Sequence, residues 1–116
     1  WSALAYLTPY LEEQKAHDLI NFDTPMYRSN RLNPEVSTAV STKLATFLCP
    51  SDLPWTPVSD AGGILYGPTN YVVCAGSGRD GGTPFNTDGV FFVNSKITTA
   101  EITDGVSHTI LVSEST

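Results

Sequence analysis

Apolar residues fall at positions 3, 4, 7, 11, 19 and 20, with Tyr6 and Tyr10 alongside. This is the three-to-four residue spacing of an amphipathic helix. Thr8-Pro9 reads as an N-cap followed by proline at the first helical position, so the pattern predicts a short helical turn, a break, and a second helix over about residues 9–16. Glu12 and Glu13 then sit near the positive end of that helix. From Asn21 to Asn33 the period disappears into polar residues, a loop pattern. Asn33-Pro34-Glu35 caps and opens a short helix through Val36, Ala39 and Val40.

Strand patterns dominate the rest of the chain. Ala45–Cys49 is strand-like and stopped by Pro50, and the stretch from Pro50 to Pro68 holds four prolines and three glycines, the composition of an ordered loop. Thr69–Cys74, Gly89–Val93 and His108–Ser113 are short, β-branched or aromatic, and bounded by turn residues. A glycine-rich loop from Gly76 to Asp88 joins the first two. Thr98–Ile102 predicts a capped helical turn ended by Asp104-Gly105, with Ile102 buried, Gly105 at positive φ, and Asp104 or Ser107 bonded to local backbone amides. Helix first and antiparallel strands afterwards defines an α+β class, with residues 1–116 as one domain.

Composition narrows the partners. Only 16% of the 116 residues are charged, and 6 basic against 12 acidic side chains give a net charge of -6. Such a surface repels phosphate backbones and anionic lipid, which excludes nucleic acid as an expected partner. No window holds the run of apolar residues a membrane span needs. The chain opens on Trp1-Ser2-Ala3-Leu4 and ends within a strand-like pattern at Val112–Thr116, so a piece of a longer, mature protein is expected.

Chemistry is sparse. The two cysteines, Cys49 and Cys74, form an even count that suits a disulfide in an exported protein. A bridge across that separation contributes about 3 kcal/mol by the chain-entropy model; the alternative is two separate thiols acting as small hydrophobes. His17 and His108 have no strained serine elbow beside them, and no zinc-ligand spacing occurs. Gly76-Ser77-Gly78-Arg79-Asp80-Gly81 lacks the helix that a phosphate-binding turn requires. Asp80, Asn86, Thr87 and Asp88 gather hard oxygen donors of the kind calcium takes, although Asp-Gly pairs also build plain turns. Trp1, Trp55, Tyr66 and Phe85 lie in or beside loops and offer an aromatic platform for glycan, or plugs over a core edge.

Several of these segments fall into one ordered set. Trp1-Ser2-Ala3-Leu4 with Leu7-Thr8-Pro9-Tyr10-Leu11-Glu12-Glu13-Gln14 comes first, then Phe47-Leu48-Cys49-Pro50-Ser51-Asp52 and Thr69-Asn70-Tyr71 with Ala75-Gly76. Asp88-Gly89-Val90-Phe91 and Ile102-Thr103-Asp104-Gly105-Val106-Ser107-His108 with Glu114 complete it. The chain resembles the globular part of the bacterial prepilin-like family of unassigned function, whose members are similar to type IV pilins and type II secretion pseudopilins. His108 stands where that family usually has Asn, which suggests capping or hydrogen bonding. The resemblance implies a pilin-like fold, with an N-terminal helix packed on a small antiparallel sheet. It also implies an upstream hydrophobic helix, outside these residues, that assembles in the membrane or in a filament, and a location at the cell surface, outside the cell or on the periplasmic face. The expected function is that of a non-catalytic structural subunit of a surface or secretion filament; the alternative is a secreted glycan- or solute-binding module. Calcium in a loop joining late strands, as in major pseudopilins, is a further expectation for Asp80–Asp88.

A Cys49–Cys74 bridge predicts that unreduced mature protein takes up no alkylating label, as mass spectrometry reads it. Two labels without reduction exclude the bridge.

Overall fold

The computed structural model describes residues 1–52, 56–59, 63–77, 82, 83 and 85–115. Short helices and small antiparallel strand pairs alternate, which makes the fold α+β. Two compact units divide the chain, Trp1–Asn70 and Tyr71–Ser115.

In the first unit, helix α1 spans Ala3–Leu7, with Ser2 accepting a hydrogen bond from the Ala5 N–H as its N-cap. The helix runs directly into a 3-10 turn over Thr8–Leu11. Proline at position 9 is tolerated there because it sits in the first turn, where its missing N–H leaves nothing unbonded. The predicted break therefore moves from Thr8 to Glu12, which takes a left-handed φ of 61° before helix α2, Gln14–His17. Thr8 is not the N-cap of that second helix. It is buried, and its hydroxyl donates to the Ala5 carbonyl at 2.7 Å.

The segment expected to be loop, residues 21–33, holds a hairpin of Tyr27–Arg28 (β1) with Arg31–Leu32 (β2). Ser29 and Asn30 both have positive φ, the backbone of a tight two-residue turn whose twist matches that of the strands. Two-residue strands are too short to show alternation, so the sequence pattern is silent here. Asn33 caps as expected: its Oδ1 accepts the Glu35 N–H at 3.2 Å and opens a 3-10 turn, Pro34–Val36, continued by helix α3, Ser37–Ser41. Val58–Ser59 (β3) pairs with Leu65–Tyr66 (β4).

Ala45–Cys49 is not a strand. Residues Ala45–Phe47 form a 3-10 turn, and Leu48 and Cys49 after it have no strand partner among the described residues. A side chain takes the place of a ladder: the Cys49 N–H donates to Asn70 Oδ1 at 2.9 Å, and the Asn70 N–H donates to the Phe47 carbonyl at 2.9 Å. Asn70 Nδ2 in turn donates to the Asp52 carboxylate. Asn70 is 4% exposed, so these bonds form away from water, where losing one is costly.

In the second unit, Tyr71–Val73 (β5) pairs antiparallel with Val112–Glu114 (β8), so the first and last of the expected strands form a ladder. Gly82–Thr83 (β6) pairs with Asn86–Thr87 (β7). Gly89–Val93, expected as a strand, is bent backbone ending in a turn in which the Ser95 N–H bonds the Phe92 carbonyl. Gly89 lies so close to the backbone of Ala75 and Gly76 that a Cβ would overlap it, which explains why the run enters as a crossing and not as a ladder. A 3-10 turn over Thr99–Glu101 forms where expected, with Glu101 accepting from the Thr98 N–H at 2.8 Å and its hydroxyl at 2.7 Å. Gly105 has the expected positive φ of 86°. Ile102 is half-buried, and the side-chain bond that closes this turn is donated by the Thr109 hydroxyl to the Gly105 carbonyl, not made by Asp104 or Ser107.

Asn70→Ala strips one acceptor and one donor from half-buried partners, and about 1 to 2 kcal/mol of stability is expected to go with them. The urea midpoint falls at constant m-value; an unmoved midpoint contradicts the assignment.

Candidate functional site

Polar residues share the interior of the first unit with apolar ones: Thr8, Asn33 and Asn70 are buried beside Ala16, Leu32, Val36 and Leu48. Further apolar side chains of this unit surround a partly open cavity of about 260 Å³. Helices α1, α2 and α3 and the segment after β4 supply its walls, with Leu4, Ile20, Met26, Val40, Leu44 and Phe47 as the apolar surface. Gly67 makes one wall possible. Its N–H bonds the Val40 carbonyl at 2.9 Å, and a Cβ there would strike the Thr42 carbonyl.

Among the described residues no charged side chain lines the cavity, and three of its polar side chains are bonded to backbone carbonyls. The Thr8 hydroxyl is donated to Ala5, the Thr42 hydroxyl to the Thr38 carbonyl at 2.7 Å, and the Trp1 indole N–H to the Asn21 carbonyl at 3.2 Å. Because Thr8 has already given its proton, His17 Nδ1, 3.3 Å away, is the donor to Thr8 Oγ1. His17 is thus an orienting group within a small aromatic cluster: Phe22 stacks on Tyr6 at 4.5 Å and meets His17 at 5.3 Å and Trp1 edge-on at 6.1 Å. His108 bonds with its own neighbour Ser107, whose Oγ lies 3.2 Å from Nδ1 on an exposed turn.

Trp1 and Tyr66 line the cavity, whereas Phe85 is exposed in the second unit and Trp55 lies outside the described residues. Cys49 and Cys74 are free, half-buried thiols in the structure, one in each unit, where the sequence reading expects a bridge. Of the calcium ligands, Asp80 lies outside the described residues, Asn86 and Thr87 form β7, and Asp88 comes directly after them. Among the described residues no three His, Cys, Asp or Glu side chains converge.

Asp88 has a clear local task. Its Oδ1 accepts the Ser77 N–H at 2.8 Å, and Gly76, at φ 115°, passes so close that a Cβ would meet that carboxylate. The Ser77 backbone N–H, and after it the Ser77 side chain, hold the Asp88 carboxyl below its ordinary range. The hydroxyl and then the N–H of Thr98 do the same for Glu101. Ala75-Gly76 and Asp88-Gly89 therefore belong to one backbone crossing. Sequence reasoning singles out the Asp-Gly pair for its oxygens; the signal for the crossing is the glycine in both dipeptides.

These features define an α+β protein with a largely apolar cavity in its first unit. A model of a family described as a protein of unknown function, DUF1559, matches residues 1–116, and the chain belongs to that family. No protein of curated function and no solved structure matches it.

The depressed Asp88 carboxyl contributes stability that is present above its unfolded value of about 3.9 and lost as pH falls through the lower folded value. Asp88→Ala is expected to lower Tm at neutral pH and to flatten the loss of stability in acid. If the loop holds calcium, millimolar calcium raises the Tm of the wild type by mass action and leaves Asp88→Ala unmoved. Parallel acid profiles for the two proteins contradict the clamp.

Proposed function

We propose that the chain is the head of an exported pilin-like or pseudopilin-like structural subunit, without catalysis, that associates through a hydrophobic helix upstream of Trp1. The observation that carries this reading is the N-terminal helical segment. Tyr6 is 55% exposed, Leu7 39%, Tyr10 83% and Leu11 38%, four large side chains left open along helix α1 and the 3-10 turn that continues it. Exposed apolar side chains gathered on one short segment are a surface for a neighbouring subunit. The family resemblance in the ordered motifs supports the same reading. On this proposal the head lies outside the cell or at its surface, and the membrane is met only by the upstream helix.

A second reading, a secreted module that binds glycan or a small solute, is favoured by one observation: Trp1 and Tyr66 both border the cavity. A glycan array on the 116-residue chain tests its glycan form.

For the first reading, Leu7→Glu combined with Leu11→Glu in the full-length protein is expected to abolish surface filaments seen by electron microscopy. The 116-residue chain carrying the same pair must stay folded by circular dichroism for the loss to report assembly; if it does not, Tyr10→Glu at the most exposed of the four positions takes its place. Filaments at wild-type level, or a full-length protein exported by an ordinary cleaved signal peptide and monomeric at the surface, contradict it.

A further inference from the structure

We infer that the cavity of the first unit is a binding site for one small, neutral, apolar molecule of about the size of one or two fused rings. The inference is independent of subunit assembly and deepens the second reading above by naming the class of solute. Size is the first ground. A cavity of about 260 Å³ exceeds the roughly 150 Å³ apolar cavity that is known to take up benzene.

The second ground is polarity. The cavity is partly open, so solvent reaches it, but water is held there only where it finds two to four polar partners. Of the polar side chains in its lining, the hydroxyls of Thr8 and Thr42 and the indole N–H of Trp1 are donated to backbone carbonyls and Ser2 accepts from the Ala5 N–H. The hydroxyls of Tyr66 and Thr69 are the other polar groups there. What the walls present to an occupant is largely hydrocarbon: Leu4, Ile20, Val40 and Leu44, with the ring of Phe47. Ordered water gains little there, while an apolar molecule gains dispersion contacts on several sides. The third ground is charge. Among the described residues no Asp, Glu, Lys, Arg or His lines the cavity, so a carboxylate or ammonium group entering it would lose its hydration without a counter-charge. Free amino acids, nucleotides and fatty-acid headgroups are excluded on this basis, and neutral aromatic or short-alkyl compounds are selected.

Indole and toluene serve as neutral probes, and benzoate as the charged counterpart, in thermal-shift and calorimetric titrations of the 116-residue chain. Indole or toluene is expected to raise Tm saturably at millimolar concentration with one site per chain, and benzoate to leave it unchanged. Ala39→Leu and, separately, Ala5→Leu place extra carbons in the cavity, so each is expected to weaken indole binding at least tenfold; whichever variant folds supplies the comparison. Absence of a saturable shift with both neutral probes overturns the inference. Equal binding by a filled variant, or binding of benzoate as tight as that of toluene, also overturns it, because the occupied site is then elsewhere or selects on other grounds. Loss of filaments or their persistence in the assembly experiment has no bearing on these outcomes.

Discussion

The side-chain amide of Asn70 is the interaction on which the first unit depends. It accepts from the Cys49 N–H, donates to Asp52, and stands next to its own backbone bond to the Phe47 carbonyl. A stretch with no strand partner among the described residues is thereby held as firmly as a ladder would hold it. The consequence reaches the cavity, because Phe47 on one side and Pro68 and Thr69 on the other are walls set by that node. Apolar burial alone is thin here: Ala16, Leu32, Val36 and Leu48 are the buried hydrophobic residues among those described. Polar nodes at Thr8, Asn33 and Asn70 complete the interior by bonding the Ala5 carbonyl, the Glu35 N–H and the Cys49 N–H.

The same economy appears in the second unit, whose described residues are none of them fully buried. Its order comes from local devices: the Asp88 clamp on Ser77, the Glu101 cap on Thr98, and the left-handed Gly105. The clamp and the glycine fall on Asp88-Gly89 and Ile102–Ser107, and the cap lies directly before the second of them. The motifs Phe47–Asp52, Ala75-Gly76, Asp88-Gly89 and Ile102–Ser107 thus have a physical account as backbone fixtures.

How much is legible in the sequence depends on range. Asn33 as a cap, the Thr98–Glu101 turn, Gly105 and strand β5 depend on neighbours a few residues away or on local composition, and the pattern contains them. Ala45–Cys49 and Gly89–Val93 have strand composition but meet, respectively, a side chain 21 residues on and a glycine crossing, neither of which periodicity can display. The cavity is partly visible, since Trp1 and Tyr66 stand out as loop aromatics. Its remaining walls look like ordinary core positions, and only their spacing in three dimensions leaves a space between them.

Amide hydrogen exchange at Cys49, followed by NMR, tests most directly the claim that polar nodes hold this fold. The account predicts that the Cys49 N–H exchanges as slowly as the helical amides of the first unit, because it opens only when the Asn70 node opens. Exchange at the rate of the exposed amides of Ser29 and Asn30 would contradict it.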